Sequence, residues 1–253
     1  MSIAGPLPTV TPRRMALIGC GRIATPIIDT WLKGGLPGWT ITGVLARGVH
    51  MVGAVRSTDN TDAFFAEPYD LIVETAGPSA LAAHGARALA VADVWTVSAA
   101  ALADPALLMA LQTAGSQAGH RLRVLPGAIA GLDGVAMASV DPDVVLQLDI
   151  DLMPGDGPRA LVFSGSVREA AARYPDSVNV AVAAALAGPG MDRAQIRVSH
   201  PGLVPQHQLA LVATSRYGAV RASVEPLVGP GVHPVAASII AALRRQLQTV
   251  WVG

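Results

Sequence analysis

From residue 15 to about residue 124, apolar runs of strand length alternate with alanine-rich stretches at helical spacing. Strands are expected at 15–18, 40–45, 71–74, 94–98 and 121–125. Helices are expected at 25–33, 79–91 and 105–118, the last two each with a capping residue or a proline at the first turn. Strand and helix in this alternation predict parallel strands joined by crossover helices, a doubly wound Rossmann-type α/β domain over 13–125. After LPGAIAGLDG (125–134) the texture changes. The segments VVLQLDIDLMP, RALVFSG, AQIRVSH, HQLALVATS and GAVRASVEP alternate apolar and polar residues with period two, as strands with one wet face do. Helices are expected at 166–174 and 178–188. The pattern predicts a second, α+β domain over 126–232 with an open mixed sheet. Residues 234–249 return to helical spacing, with Val235, Ile239, Leu243 and Leu247 on one face. Residues 233–253 therefore read as a C-terminal helix returning to the first domain. Residues 1–12 hold Pro6, Pro8 and Pro12 and no apolar core, so they read as a flexible arm and not a signal peptide.

The turn after the first strand is GCGRIA, residues 19–24. Gly19 permits a tight turn, Gly21 lets the backbone approach a pyrophosphate, and Ala24 allows the helix to pack closely on the strand. The free N–H groups opening the helix face the anion, alongside Arg22 and Ile23. The second strand ends in GVLARG, where an NAD-specific site would carry an acidic residue. Arg47 stands there instead, and a guanidinium pairs with a 2′-phosphate, which favours NADP slightly over NAD. ETAGPS and VSAAA follow the third and fourth strands, at the sheet edge where open α/β folds bind ligands, and add Ala76, Gly77 and Ser98 as cofactor contacts.

Composition narrows the function classes. With 51% apolar residues in 253, the chain buries a large core, and part of that apolar surplus is assigned to a subunit interface. Lysine plus arginine equals aspartate plus glutamate at 18 each, and aromatic residues are 4%, which argues against nucleic acid as a partner. No apolar stretch approaches the roughly 18 residues needed to cross a bilayer, so no membrane partner is expected. A single cysteine, Cys20, excludes an intrachain disulfide framework and is compatible with a cytoplasmic location. No histidine pair has a spacing that suggests zinc, and no metal is expected.

The order GCGRIA, VETAGPSAL, VSAAALAD, LPGAIAGLD, VFSGSVREAAARYPDSVNVAVAAALAG and HPGLVPQHQLALV resembles the L-aspartate dehydrogenase family along nearly the whole chain. The resemblance implies a two-domain, dimeric, NAD(P)-dependent enzyme. Its reaction is oxidative deamination of aspartate to oxaloacetate and ammonia through iminosuccinate, or the reverse. It also implies Ala128 and Asn179 as cofactor contacts and His207 as the active-site histidine. Three features depart from the family pattern. His200-Pro201 replaces Asp-Pro, and His233-Pro234 replaces Asn-Pro before the last helix. A short Gly-Pro turn stands where the family has a Lys-Pro segment and a longer loop, which removes a candidate cation for a substrate carboxylate.

Hydride chemistry at an amino-acid carbon belongs to the cofactor, and the protein manages protons. Histidine titrates near neutrality, so His207 is the expected general acid/base; His50, His84, His120, His200 and His233 read as structural or surface residues. Asn179 opens an alanine-rich helix, where it would cap free N–H groups or bond the nicotinamide amide. Arg168 and Glu169 read as a solvated helix face. Two alternatives remain open: an imine reductase or amine dehydrogenase acting on a less acidic substrate, and a non-catalytic NAD(P)-binding protein.

Overall fold

The computed structural model describes residues 11–48, 50–153, 157–202, 208–229 and 231–250. In chain order the first half comprises β1 (Arg13–Ile18), α1 (Ala24–Leu32), β2 (Trp39–Leu45), a small hairpin of β3 (Met51–Val52) and β4 (Val55–Arg56), and α2 (Thr61–Ala66). Then come β5 (Leu71–Glu74), α3 (Pro78–Val91), β6 (Val94–Thr96), a 3-10 turn (Ala99–Ala103), α4 (Pro105–Ala118) and β7 (Leu122–Val124). The second half holds α5 (Leu132–Ala138), β8 (Val145–Asp151), β9 (Ala160–Ser166), α6 (Val167–Arg173), α7 (Asn179–Ala187), β10 (Gln195–His200), β11 (Leu209–Ser215), β12 (Gly218–Val224) and α8 (Pro234–Arg245).

The first sheet is parallel throughout, in the order β2-β1-β5-β6-β7. The chain leaves β1 to build β2 on one side and returns to build β5 on the other. Loops at the carboxyl ends of β1 and β5 therefore part, and a crevice opens between them. Alternate residues of β1 serve opposite cores: Met15 and Leu17 pack with Ile27, Trp39 and Ile239, whereas Ala16 and Ile18 pack with Phe64, Leu81 and Leu89. A strand covered on both faces must be apolar at each position, which is why MALI is a continuous apolar run.

Helix α8 fills the first of these faces beside α1. Burying Ile239 and Leu243 contributes about 3–6 kcal/mol relative to exposure. The Trp39 indole N–H donates to the Leu243 carbonyl at 3.0 Å, and Arg244 Nε donates to the Gly35 carbonyl at 3.0 Å, which set the helix's position along the sheet.

The second sheet runs β12-β11-β8-β10-β9, with β8 and β10 parallel and its other pairings antiparallel. Leu146, Leu148 and Ile150 of β8 point into a core shared with Val135 of α5, Val167 of α6 and Val182 of α7. On the opposite face Asp149 and Arg197 sit in register and bond at 2.6 Å. Period-two alternation was the legible signature of this one-sided sheet. Helix α7 is apolar nearly all round because α5, α6 and the 3-10 turn surround it.

Differences from expectation are local. Strand β6 stops at Thr96, not residue 98, because the Ser98 N–H turns back onto Thr96 Oγ1 at 2.9 Å and opens the 3-10 turn. Strand β7 covers 122–124, and α8 ends at Arg245, four residues early. The six-residue α2 and the seven-residue α5 were not foreseen, being too short for a helical apolar period to show. Glu169 is exposed and Arg168 partly so, as expected of a helix face, but Arg168 also bonds both carboxylate oxygens of Asp192 and donates to the Ala103 carbonyl at 2.6 Å, tying α6 to the first half.

Candidate active site

Two adjoining cavities lie at the carboxyl edge of the parallel sheet. The outer one, about 820 Å³, is lined by Gly19, Cys20, Gly21, Arg22, Arg47 and His50, and across the crevice by Ala76, Ser79 and His84. The inner one, about 400 Å³, lies between the two halves and is lined by Gly77, Ser98, Ala128 and Asn179 with Asp151, Leu209 and Val235. Both fall in the size range of small-molecule and cofactor sites.

The turn after β1 builds the first wall. Gly19 has φ +98°, and a Cβ there would meet the Ala76 Cβ at 2.9 Å, so glycine is required for conformation and for closeness to the β5 loop. A Cβ on Gly21 would meet nothing within 4 Å, and its bare backbone faces the cavity. Helix α1 begins at Ala24; the Thr25 N–H is taken by the Gly21 carbonyl at 3.0 Å and Pro26 has none, so it is the turn itself, Gly21 to Ile23, that borders that space. These features fit a dinucleotide pyrophosphate.

The opposite wall, Thr75 to Pro78, is held by a carboxylate absent from the sequence-based candidates. Glu74, 1% exposed, accepts the N–H groups of Ala76 at 2.7 Å and Gly77 at 2.8 Å through Oε1, and the Thr96 hydroxyl at 2.6 Å through Oε2. Thr96 Oγ1 in turn accepts the Ser98 N–H at 2.9 Å. One buried side chain thus fixes the loops after both β5 and β6.

Ten of the eleven predicted cofactor residues line one cavity or the other: Gly19, Gly21, Arg22, Ile23, Arg47, Ala76, Gly77, Ser98, Ala128 and Asn179. Ala24 does not; it is fully buried and packs in the core between helix and sheet. Asn179 does not cap its own helix, whose N-cap is Val178. Its Oδ1 accepts the Ala100 N–H at 2.9 Å, so it caps the 3-10 turn of the other half while lining the inner cavity. His207 lies outside the described residues. Its neighbour Gln208 is clamped to β8: Asp151 N donates to the Gln208 carbonyl at 2.9 Å, and Asp151 Oδ2 accepts the Gln208 N–H at 3.1 Å.

Sequence reasoning missed three residues besides Glu74. Asp151, 6% exposed, lines the inner cavity and is bound by Arg159 at 3.0 Å. A cation therefore stands beside the cavity despite the short Gly-Pro turn. His233, read from sequence as structural or surface, lines both cavities. For Asp151, the end of an alternating strand was the only signal; for His233, it was the replacement in His-Pro. Among the described residues no group of three or more His, Cys, Asp or Glu is placed to hold a metal ion, and no helix is long and apolar enough to cross a membrane.

A parallel sheet with a glycine turn at its switch point, with a second domain across a cavity from it, defines the NAD(P)-dependent oxidoreductase class. Residues 19–125 match the family model described as homoserine dehydrogenase, NAD binding domain, and residues 128–246 that described as aspartate dehydrogenase, C-terminal. L-aspartate dehydrogenase 1 of Bordetella pertussis is 34% identical over 86% of this chain and 88% of its own length. L-aspartate dehydrogenase of Ruegeria pomeroyi is 34% identical over 92% of each. The crystal structure of aspartate dehydrogenase from Thermotoga maritima shares the fold, with a TM-score of 0.77, 19% identity and coverage of 95% of this chain and 99% of that one. This chain belongs to the L-aspartate dehydrogenase family.

Proposed function

We propose that the protein is an NAD(P)-dependent L-aspartate dehydrogenase, interconverting L-aspartate with oxaloacetate and ammonia by way of iminosuccinate. The observation that carries this reading is the inner cavity, which joins the phosphate turn of one half to the Ala128, Asn179 and Asp151 walls of the other. A bound nicotinamide supplies the hydride acceptor, or the donor in reverse. The backbone at Gly127 and Ala128, without side-chain bulk, leaves room for a flat ring against the wall. Asn179, fixed through Ala100, lines the cavity with an amide nitrogen that this bond leaves unused. His207 serves as the general acid/base: it takes a proton from the water that adds to the imine carbon and returns one to nitrogen as ammonia leaves. Arg159, paired with Asp151, keeps N–H donors to spare for a substrate carboxylate.

Steady-state assays in both directions test the reading. Turnover of aspartate, and of oxaloacetate with ammonia, supports it; turnover confined to non-acidic amines or ketones overturns it in favour of an amine dehydrogenase. The buried carboxylate of Asp151 on the cavity wall is the observation favouring that second reading, since it disfavours a further anion. Arg159→Ala separates the two. For aspartate, KM is expected to rise about tenfold with kcat changed less than about threefold, the signature of lost uniform binding; an amine substrate should be indifferent. Absence of any turnover beside measurable NADH or NADPH binding would leave a nucleotide-binding protein.

Arg47 lies on the outer cavity, exposed, with its carbonyl 3.3 Å from His50 Nε2. It is placed under this reading to meet a 2′-phosphate, and NADP is the favoured cofactor. Arg47→Asp is expected to shift the ratio of NADPH to NADH dissociation constants at least about tenfold towards NADH, about 1.4 kcal/mol. An unchanged ratio on fluorescence titration would make the arginine a plain surface residue. The proposal extends to a homodimer, as the resemblance implies, and to the cytoplasm, with which a single cysteine is compatible; light scattering on the purified protein reads the mass.

A further inference from the structure

Five residues line both cavities: Arg22, Ile23, Thr75, Ala76 and His233. They form the neck through which an extended dinucleotide must pass if its adenosine half occupies the outer cavity and its nicotinamide half the inner one. Four of them belong to the loops after β1 and β5. His233 comes from elsewhere, at the N-cap of α8, more than 200 positions along the chain from the glycine turn.

Within that neck His233 carries the unusual feature. Its Nδ1 is buried and has no hydrogen-bond partner among the described residues. Leaving such an atom unpaired costs free energy that a ligand group can recover on binding. The side chain does not cap its helix; Pro234 occupies the first helical position and no cap hydrogen bond is made. Local structure therefore gives the imidazole no role. Burial, and next the Arg22 charge, hold its pKa below the ordinary value of 6.5, so the ring is neutral at pH 7. A neutral imidazole protonated on Nδ1 donates one hydrogen bond to an oxygen without adding a second cation beside Arg22.

We infer that His233 is a dinucleotide-binding residue, its Nδ1 bonding an oxygen of the diphosphate-ribose segment that links the two halves of the cofactor. The inference rests on the cofactor site described above, and goes beyond it in adding a residue from the C-terminal helix to the grip. Because His233 opens α8, which packs against α1, the contact would make the position of α8 part of cofactor recognition.

Asparagine places a polar atom at the same δ position as Nδ1, whereas leucine keeps bulk there without polarity. The experiment is fluorescence titration of NADH and NADPH into the parent protein, His233→Asn and His233→Leu, with thermal unfolding of each apo form as the check on folding. His233→Leu is expected to bind both nucleotides about tenfold more weakly, and His233→Asn within about threefold of the parent. Parent-like binding by His233→Leu overturns the inference, and so does equal weakening in the two variants, which would mark a packing role. Failure of the parent itself to bind either nucleotide would instead overturn the cofactor assignment on which the inference stands.

Discussion

Replacing His207 with alanine should lower kcat by about 10²- to 10⁴-fold, the range for loss of a positioned general acid/base, while the NADH and NADPH dissociation constants stay within about threefold of the parent. The asymmetry follows from the role. Hydride transfer requires orientation of cofactor and substrate, which the proposed function assigns to the walls of the inner cavity, whereas water addition and ammonia release require a proton to be taken up and given back near neutral pH. What the described structure contributes is the anchoring of the adjacent residue. Both backbone groups of Gln208 are bonded to Asp151, whose carboxylate is itself on the cavity wall. The pH profile provides the second readout, because the limb of kcat/KM that reports the general base should vanish in the alanine variant. Turnover within tenfold of the parent, with the pH profile intact, would remove the assignment.

Glu74→Ala should be the most damaging single change to stability in the first half. Three donors converge on this carboxylate from Ala76, Gly77 and Thr96, and the residue is 1% exposed. Each donor left buried without a partner costs about 1–3 kcal/mol; relaxation and water entry into the vacated space make the total about 3–5 kcal/mol, the range for breaking a buried charged network. For a chain of this length that corresponds to a fall in melting temperature of about 10 °C. Affinity should fall as well, since Ala76 and Gly77 belong to the walls of the cavities. Glu74→Gln keeps an acceptor for the two backbone N–H groups and disturbs only the Thr96 end, so about 1–2 kcal/mol is expected. Urea denaturation of the two variants checks both figures. A loss below about 1 kcal/mol for alanine would mean that the loops are held by other contacts.

Much of the architecture was readable because it follows from local periodicity. Met15 to Ile18 is apolar at every position and proved to be buried on both faces; Leu146, Leu148 and Ile150 alternate with polar neighbours and proved to line one face. Gly19 was legible because its left-handed backbone is a local requirement, and Gly21 and Arg47 fall on the outer cavity as their positions after β1 and β2 suggested. The capping alternative for Asn179 failed, and the link made by Arg168 went unseen, for a common reason: each was judged within its own helix, yet each bonds the 3-10 turn of the other half.

The amino-acid sequence alone determined the two sheet types, the glycine turn after β1 and the family, since strand burial imprints a period on consecutive residues and the glycine at position 19 is dictated by its own backbone conformation. Tertiary structure alone decided that Glu74 supports two cavity loops, that Asp151 joins Arg159 to the backbone of Gln208, and that His233 stands at the neck between the cavities. Those roles depend on which distant segments become neighbours. Hydrogen bonding and burial between residues far apart in the chain leave no period in either segment to be read.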